Sequence, residues 1–331
     1  MRLLIGALIL VPMTAACSKS PTEPSDTGGG SSRLQGQTVT ATDGAPAPNL
    51  SVRIGERTVT SDGNGRFEID LGGSGTYRTI VRGSGVVERE TRISGAGASP
   101  TVLSLIPASF DMVAFDEMFR GLNARIQRWT SRPSLVVLAS VMDYRGAGQS
   151  YEATAETLSD DELETMVNHL NEGLGVLTGN TYFTFGAVEI ERPAAGTRVE
   201  TIRQGKIVVG RYNGIVTFQR TIGYGQWAET ADGTIVSGAM YLDRDFDKND
   251  SRRRLLRIHE LGHALGLQHV ESRTSIMNPS IGPDVQEFDR GGARIAYQRP
   301  VGNRAPDVDP STSAFGASTG EWKVSPPTVC R

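Results

Sequence analysis

The stretch from Arg257 to His269, RIHELGHALGLQH, constrains this chain more than any other. It holds three of the chain's 4 histidines. His259 and His263 are four residues apart, so on a helix both imidazoles leave one face a turn apart and can reach a single ion. Glu260 stands outside that row but three positions before His263, which suits its carboxylate to holding a water beside the ion. Gly266 can take the left-handed conformation that ends a helix and reverses the chain. His269 then returns as a third nitrogen. Three neutral imidazoles leave the fourth tetrahedral position of zinc open, the arrangement of a catalytic rather than a structural site. Zinc is preferred to copper or nickel because hydrolysis needs a redox-silent Lewis acid, although the ligands alone admit all three.

Met277 follows within Ser275-Ile276-Met277-Asn278-Pro279. The pattern H-E-x-x-H-x-x-G-x-x-H with a later Met resembles the metzincin zinc peptidases, and its spacing, with the downstream VQEFDRGGARIAY, is most similar to the matrixin branch. The resemblance spans about residues 234–297. It implies zinc bound by His259, His263 and His269, Glu260 as general base, Met277 packed beneath the metal, and a protein or peptide substrate lying along the strand expected at 234–242. Three features depart from the family. Val270 follows the third histidine where matrixins favour Ser and astacins Glu, Pro279 replaces the astacin Tyr, and no upstream cysteine suits the inhibitory switch of some matrixins.

The chain opens with Arg2, an apolar run from Leu3 to Val11, and Ala15-Ala16-Cys17. Such a segment reads as a secretory signal over 1–16. Its small-small-Cys ending resembles a bacterial lipobox, which implies a lipid on Cys17, an exported cell-envelope lipoprotein, and membrane association without a transmembrane helix. Thr14 departs from the lipobox and leaves cleavage without lipid open. Residues 17–33, rich in Ser, Pro and Gly, read as a flexible tether. Over 34–107, short alternating stretches such as SVRI, RTVT and RFEID lie between Gly, Asp and Asn turns, as in a small β-sandwich. The Asp62-Gly63-Asn64-Gly65 turn feeding Phe67 and Ile69 resembles the carboxypeptidase regulatory-like domain, a transthyretin-like sandwich.

From 108 to 331 the alternation of helices and strands predicts an α+β domain. The spacing of Phe115, Met118, Phe119, Leu122, Ile126 and Trp129 predicts one helix, PSLVVLASVM a buried strand, and Ser159 with Glu162 a capping box. Further strands are expected at 182–190, 206–212, 215–220 and 234–242. His169 is read as a solvated side chain. Asp243, Asp245, Asp247, Asn249 and Asp250 invite a calcium reading, with a solvated loop as the alternative, since the Gly and terminal Glu of an EF-hand are missing.

Hydrophobic residues at 38%, charged residues at 21% and a net charge of -3 describe a globular chain and point away from nucleic acid. With 2 cysteines, Cys17 and Cys330, no disulfide framework is available. Cys330 is read as an exposed terminal thiol, or as the partner of Cys17 if no lipid is added. Two rival functions share these residues: a surface binding or adhesion lipoprotein with a vestigial zinc site, which the intact Glu260 argues against, and a zinc hydrolase of non-peptide amides.

Overall fold

The computed structural model describes residues 33–330 except 96–99, 147, 149, 218–219 and 312–320. The expected signal segment, Cys17 and all of the tether but Arg33 lie outside the described residues.

The first seven strands are β1 (Arg33–Thr40), β2 (Ser51–Ile54), β3 (Arg57–Thr60), β4 (Arg66–Asp70), β5 (Thr76–Arg82), β6 (Arg89–Ser94) and β7 (Thr101–Leu105). They form a three-stranded sheet, β4-β1-β7, and a four-stranded sheet, β3-β2-β5-β6. Strict alternation in β2 and β4 turns every second side chain inward. Leu34, Val52, Ile54, Phe67, Val81 and Leu105 from both sheets bury a common core.

Downstream come α1 (Met112–Arg120), β8 (Arg128–Trp129), β9 (Ser134–Leu138), β10 (Ser140–Asp143), β11 (Ser150–Thr157), α2 (Asp160–Leu177), β12 (Val188–Glu191), β13 (Arg198–Glu200) and β14 (Lys206–Asn213). After them lie β15 (Gly223–Glu229), β16 (Thr234–Asp243), α3 (Arg244–Asn249), α4 (Arg253–Ala264), α5 (Glu287–Tyr297), β17 (Lys323–Val324) and β18 (Thr328–Cys330). The strands make one mixed sheet. β12, β9, β14 and β16 run parallel, and β15 lies antiparallel beside β16. Its nearly continuous apolar strands are those of a sheet covered on both faces. On one face, α2, α4 and α5 share the largest core, with Leu170, Leu174, Ile258, Leu261 and Ile295 among its members. Among the described residues no helix is long and apolar enough to cross a membrane.

The two parts of the chain are joined by buried charge. Arg89 in β6 pairs with Asp307 at 2.9 Å and Asp309 at 2.8 Å, and Arg299 pairs with the same Asp307 at 2.7 Å. Removing one member would strand buried charges, so this junction is costly to open.

Several expectations need correction. The apolar stripe predicted from 115 to 129 is one short helix that ends at Arg120, and Leu122 is exposed. Trp129 sits instead in β8, where its indole donates to the Ala264 carbonyl at 3.1 Å and so serves the C-terminal end of α4. The strand expected at 182–190 is confined to Val188–Glu191, and 215–217 is a 3-10 turn. The strand at 134–142 breaks at Ala139 into β9 and β10. Hydrophobic periodicity cannot separate a short apolar strand from a helix turn, which is where these differences fall.

Candidate metal centre

Helix α4 carries the first two histidines because Leu256, Ile258 and Leu261 bind it to the core, leaving His259 and His263 aligned on one side. The helix ends in a Schellman turn: the Leu267 amide donates to the Gly262 carbonyl at 2.9 Å, and the Gly266 amide to that of His263 at 2.9 Å. Gly266 has φ +94, a conformation that side chains resist, and a Cβ there would come within 2.4 Å of Ile235 Cδ1. The reversal brings His269 back to the helix.

The three Nε2 atoms converge, at 3.1 Å for His263 and His259, 3.2 Å for His263 and His269, and 3.3 Å for His269 and His259. Ligands of a tetrahedral zinc with ordinary Zn–N lengths stand about 3.3 Å apart. Tautomer argues the same way. His259 Nδ1 donates to the Ile276 carbonyl at 2.7 Å and His263 Nδ1 to the Leu267 carbonyl at 2.8 Å. A carbonyl can only accept, so both Nδ1 atoms carry hydrogen and both Nε2 atoms present lone pairs to the same point. Burial keeps the rings neutral: it pushes His259 down to about 3, with help from His269, and His269 down to about 4. His263, fully buried and flanked by the other two, falls well below its ordinary value.

Glu260 is also fully buried, and neither carboxylate oxygen has a hydrogen-bond partner in the protein. Burial alone pushes its carboxyl well above the ordinary range. A buried acid with no partner is costly unless something else occupies its hydrogen-bonding sites. Converging lone pairs beside an orphaned carboxylate fit a divalent cation together with a polar reactant.

The carbonyls that orient the rings are themselves held. Asp289 of α5, fully buried, accepts from Ser275 Oγ at 2.5 Å and from the Ile276 amide at 3.1 Å. Asn278 donates to the carbonyls of Val270 at 2.6 Å and Arg273 at 2.8 Å. Met277 lies against Gly262, under α4. Asp289 and Asn278 were missed in the sequence as positioning residues. Their signal was present, since Asn278 stands in the Met-containing turn and Asp289 is the third residue of a capping box begun by Gln286.

Other expectations fail at this site. The acidic run gathers no cation cluster: Asp243 caps α3, Asp250 receives Arg252, and Asp247 is fully buried between Arg211 and Arg257 at 2.7 Å from each. Nothing supports calcium there, and the loop alternative fails as well, because the segment is a short helix. His169 is half-buried, its Nδ1 3.2 Å from Arg257 Nη1. The strand at 234–242 is not an edge: β16 is paired on both sides, and the strand beyond it is β15. Cys330 is not exposed but fully buried.

Residues 206–291 match the family model of the matrixins. The matched stretch runs from β14 through α4, the three histidines and the Met277 turn into α5. It supports a metzincin-like zinc metallopeptidase, and the mixed sheet with few helices is compatible with such a domain. No curated protein matches the chain.

Proposed function

We propose that the chain is a zinc-dependent endopeptidase in which His259, His263 and His269 hold one zinc and Glu260 moves the proton. The observation that carries this is the convergence of three Nε2 lone pairs, at 3.1 to 3.3 Å, beside a fully buried carboxylate without a protein partner. Zinc, when bound, supplies a Lewis acid that polarises a carbonyl and brings the pKa of water towards neutrality. Glu260 then accepts the proton of the water that attacks the scissile carbonyl and delivers it to the departing amine. The Ile276 carbonyl, in a turn held by Asp289 and Ser275, and the Leu267 carbonyl hold the His259 and His263 imidazoles in place. The outer edge of β15 is paired by β17 and β18, so an extended substrate would pair there only once residues 323–330 leave it, and backbone pairing of that kind is largely blind to sequence.

The test is zinc content together with hydrolysis of a denatured protein. One zinc per chain is expected, and any cleavage, basal or elicited, disappears in Glu260→Gln while zinc is retained. Cleavage that survives this substitution would remove Glu260 from the role.

The surrounding architecture is proposed on the same terms. Residues 34–107, with two sheets on one core, are read as a carboxypeptidase regulatory-like sandwich, and 108–331 as the peptidase domain. Residues 1–16 are read as an export signal, and Cys17 as a lipid attachment site that tethers the enzyme to the cell envelope, facing the periplasm or the exterior. Acyl-chain labelling that is lost in Cys17→Ser would support the anchor, and equal labelling of both proteins would exclude it.

A further inference from the structure

The two N-terminal sheets do not hang from the rest of the chain by a linker. Ala41 and Ile106, which directly follow β1 and β7, are buried in the core shared by α2, α4 and α5, not in the core between the sheets. Backbone crosses the seam as well: the Glu90 amide donates to the Asp307 carbonyl at 2.9 Å, and the Asp309 amide to the Glu90 carbonyl at 2.9 Å. Relative motion is the default for units that meet through a small polar interface, and a shared core removes it. Side chains at the C-terminal end of α5 reach across the same seam. Arg294 Nη1 donates to the Thr42 carbonyl at 2.8 Å, and Gln298 Nε2 to the Ala41 carbonyl at 2.9 Å. Just past the helix, Arg299 donates to Ser104, from Nη1 to the hydroxyl at 2.8 Å and from Nη2 to the carbonyl at 3.1 Å.

The opposite side of that helix supports the metal centre. Gln298 follows Asp289 by about two and a half helical turns, so the two project from opposite sides of α5. Asp289 accepts from Ser275 Oγ at 2.5 Å and from the Ile276 amide at 3.1 Å, and the Ile276 carbonyl in turn accepts from His259 Nδ1 at 2.7 Å. Within the core α5 has no slack either. A Cβ on Gly292 would come within 2.8 Å of the Phe119 ring in α1, and one on Gly179, just after α2, within 2.6 Å of the Arg294 backbone. Close-packed interiors transmit displacement instead of absorbing it, so a shift of α5 against the sheets is passed to Asp289 and the turn it holds.

We propose that the N-terminal sheets are a brace for the metal centre, and that Arg294 is a positioning residue: by tying α5 to Thr42 it sets Asp289 and, through the Ile276 turn, the ring of His259. The inference rests on the metal reading above only in its zinc measurements. The sheets are in this view part of the unit that builds the site, and need no ligand of their own to serve it. Coupling of this kind is reciprocal. If the brace raises the affinity for zinc, zinc tightens the brace by the same factor.

The test uses the full chain and variants on both sides of the seam. Arg294→Met removes the donor on α5, Ser104→Ala removes an acceptor on the sheets, and Arg294→Lys keeps a cation that can reach the Thr42 carbonyl. In the zinc-free chain, solvent exchange of the His259 Nδ1 hydrogen, followed by nuclear magnetic resonance, should be about 3–10-fold faster in Arg294→Met and Ser104→Ala and near wild type in Arg294→Lys. Zinc affinity from chelator competition should fall by a similar factor, and zinc should slow exchange of the Glu90 amide at the seam. Variants with a lowered denaturant midpoint but unchanged His259 exchange and zinc affinity would show the seam to be structural only and overturn the inference. Zinc that binds yet leaves the Glu90 amide unaffected would overturn it as well. A wild-type chain that binds no zinc would remove the metal reading alone, since faster His259 exchange in the variants needs no metal and would still uphold the brace.

Discussion

Helix α4 serves two buried polar clusters, and they are built on opposite terms. At its start Arg257 joins Arg211 around Asp247, all three almost wholly buried, and Arg211 reaches Glu162 at 2.6 Å. Burial would raise Glu162, but hydrogen bonds from Arg211 and Ser159 overturn this and hold it at about 2. A turn further on, His259, Glu260 and His263 are just as deeply buried, yet the rings face one another and the carboxylate has no protein partner. The first cluster is closed by opposite charges from the chain itself and ties α4 to α2, α3 and β14. The second has no opposite charge from the chain to close it, and the Glu260 carboxylate is left without a hydrogen-bond partner. The comparison separates a network that supports the fold from one that is poised for chemistry, although both read simply as charged residues on a helix.

The largest expected effect falls on the closed cluster. Asp247→Ala leaves two buried guanidinium groups without their shared counter-charge and should cost about 3–5 kcal/mol, read from denaturant midpoints. Loss within the ordinary surface range would show that the network is not carrying the fold. In the open cluster, Asp289→Ala should weaken zinc binding by about 10–100-fold while leaving the three ligands in place, because it frees the turn whose carbonyl orients His259. Competitive chelator titration measures it.

The pH dependence of the zinc-free chain sharpens the same contrast. Below the ordinary value of 6.5 the unfolded imidazoles take up protons, while the folded His269 and His259 wait until about 4 and about 3. The unfolded state then binds more protons, and stability should fall as pH drops through that window. Glu260 works in the other direction: its raised folded value means the native state keeps a proton that the unfolded chain has lost above 4.5, so stability should also fall as pH rises beyond that point. Glu260→Gln removes the second arm only, and added zinc should steepen the acid arm, because metal-bound imidazoles stay unprotonated while those of the unfolded chain take up protons. A zinc-free midpoint that is flat from acid to neutral pH would contradict the neutral, solvent-excluded histidines. The smallest effect is at the turn: Gly266→Ala should cost about 1–3 kcal/mol from strain at positive φ, and a larger loss would show that the clash with Ile235 dominates.

Much of the site was legible because helical spacing is a local property. His259 and His263 at four residues, Gly266 at the turn and the Ser159 capping box need only nearby residues to decide them, and each stands in the structure as the sequence read it. Alternation in β2 and β4 was legible for the same reason. What failed depended on partners remote in sequence. Trp129 and Asp247 were placed wrongly because the groups that claim them, the Ala264 carbonyl and two arginines, are settled by packing.

By itself the sequence determined the histidine row, the helix that presents it, the reversal that returns His269, and a chain with too few cysteines to be held by disulfides. Only the tertiary structure decided that β16 is an interior strand, that Asp289 holds the turn beneath His259, and that Cys330 is buried beside Glu260 instead of exposed. The physical reason is one of range. Backbone periodicity and turn chemistry act over a few residues, whereas strand order and register are chosen by which surfaces the whole chain can bury together, and Cys330 meets Gly223 only through that choice.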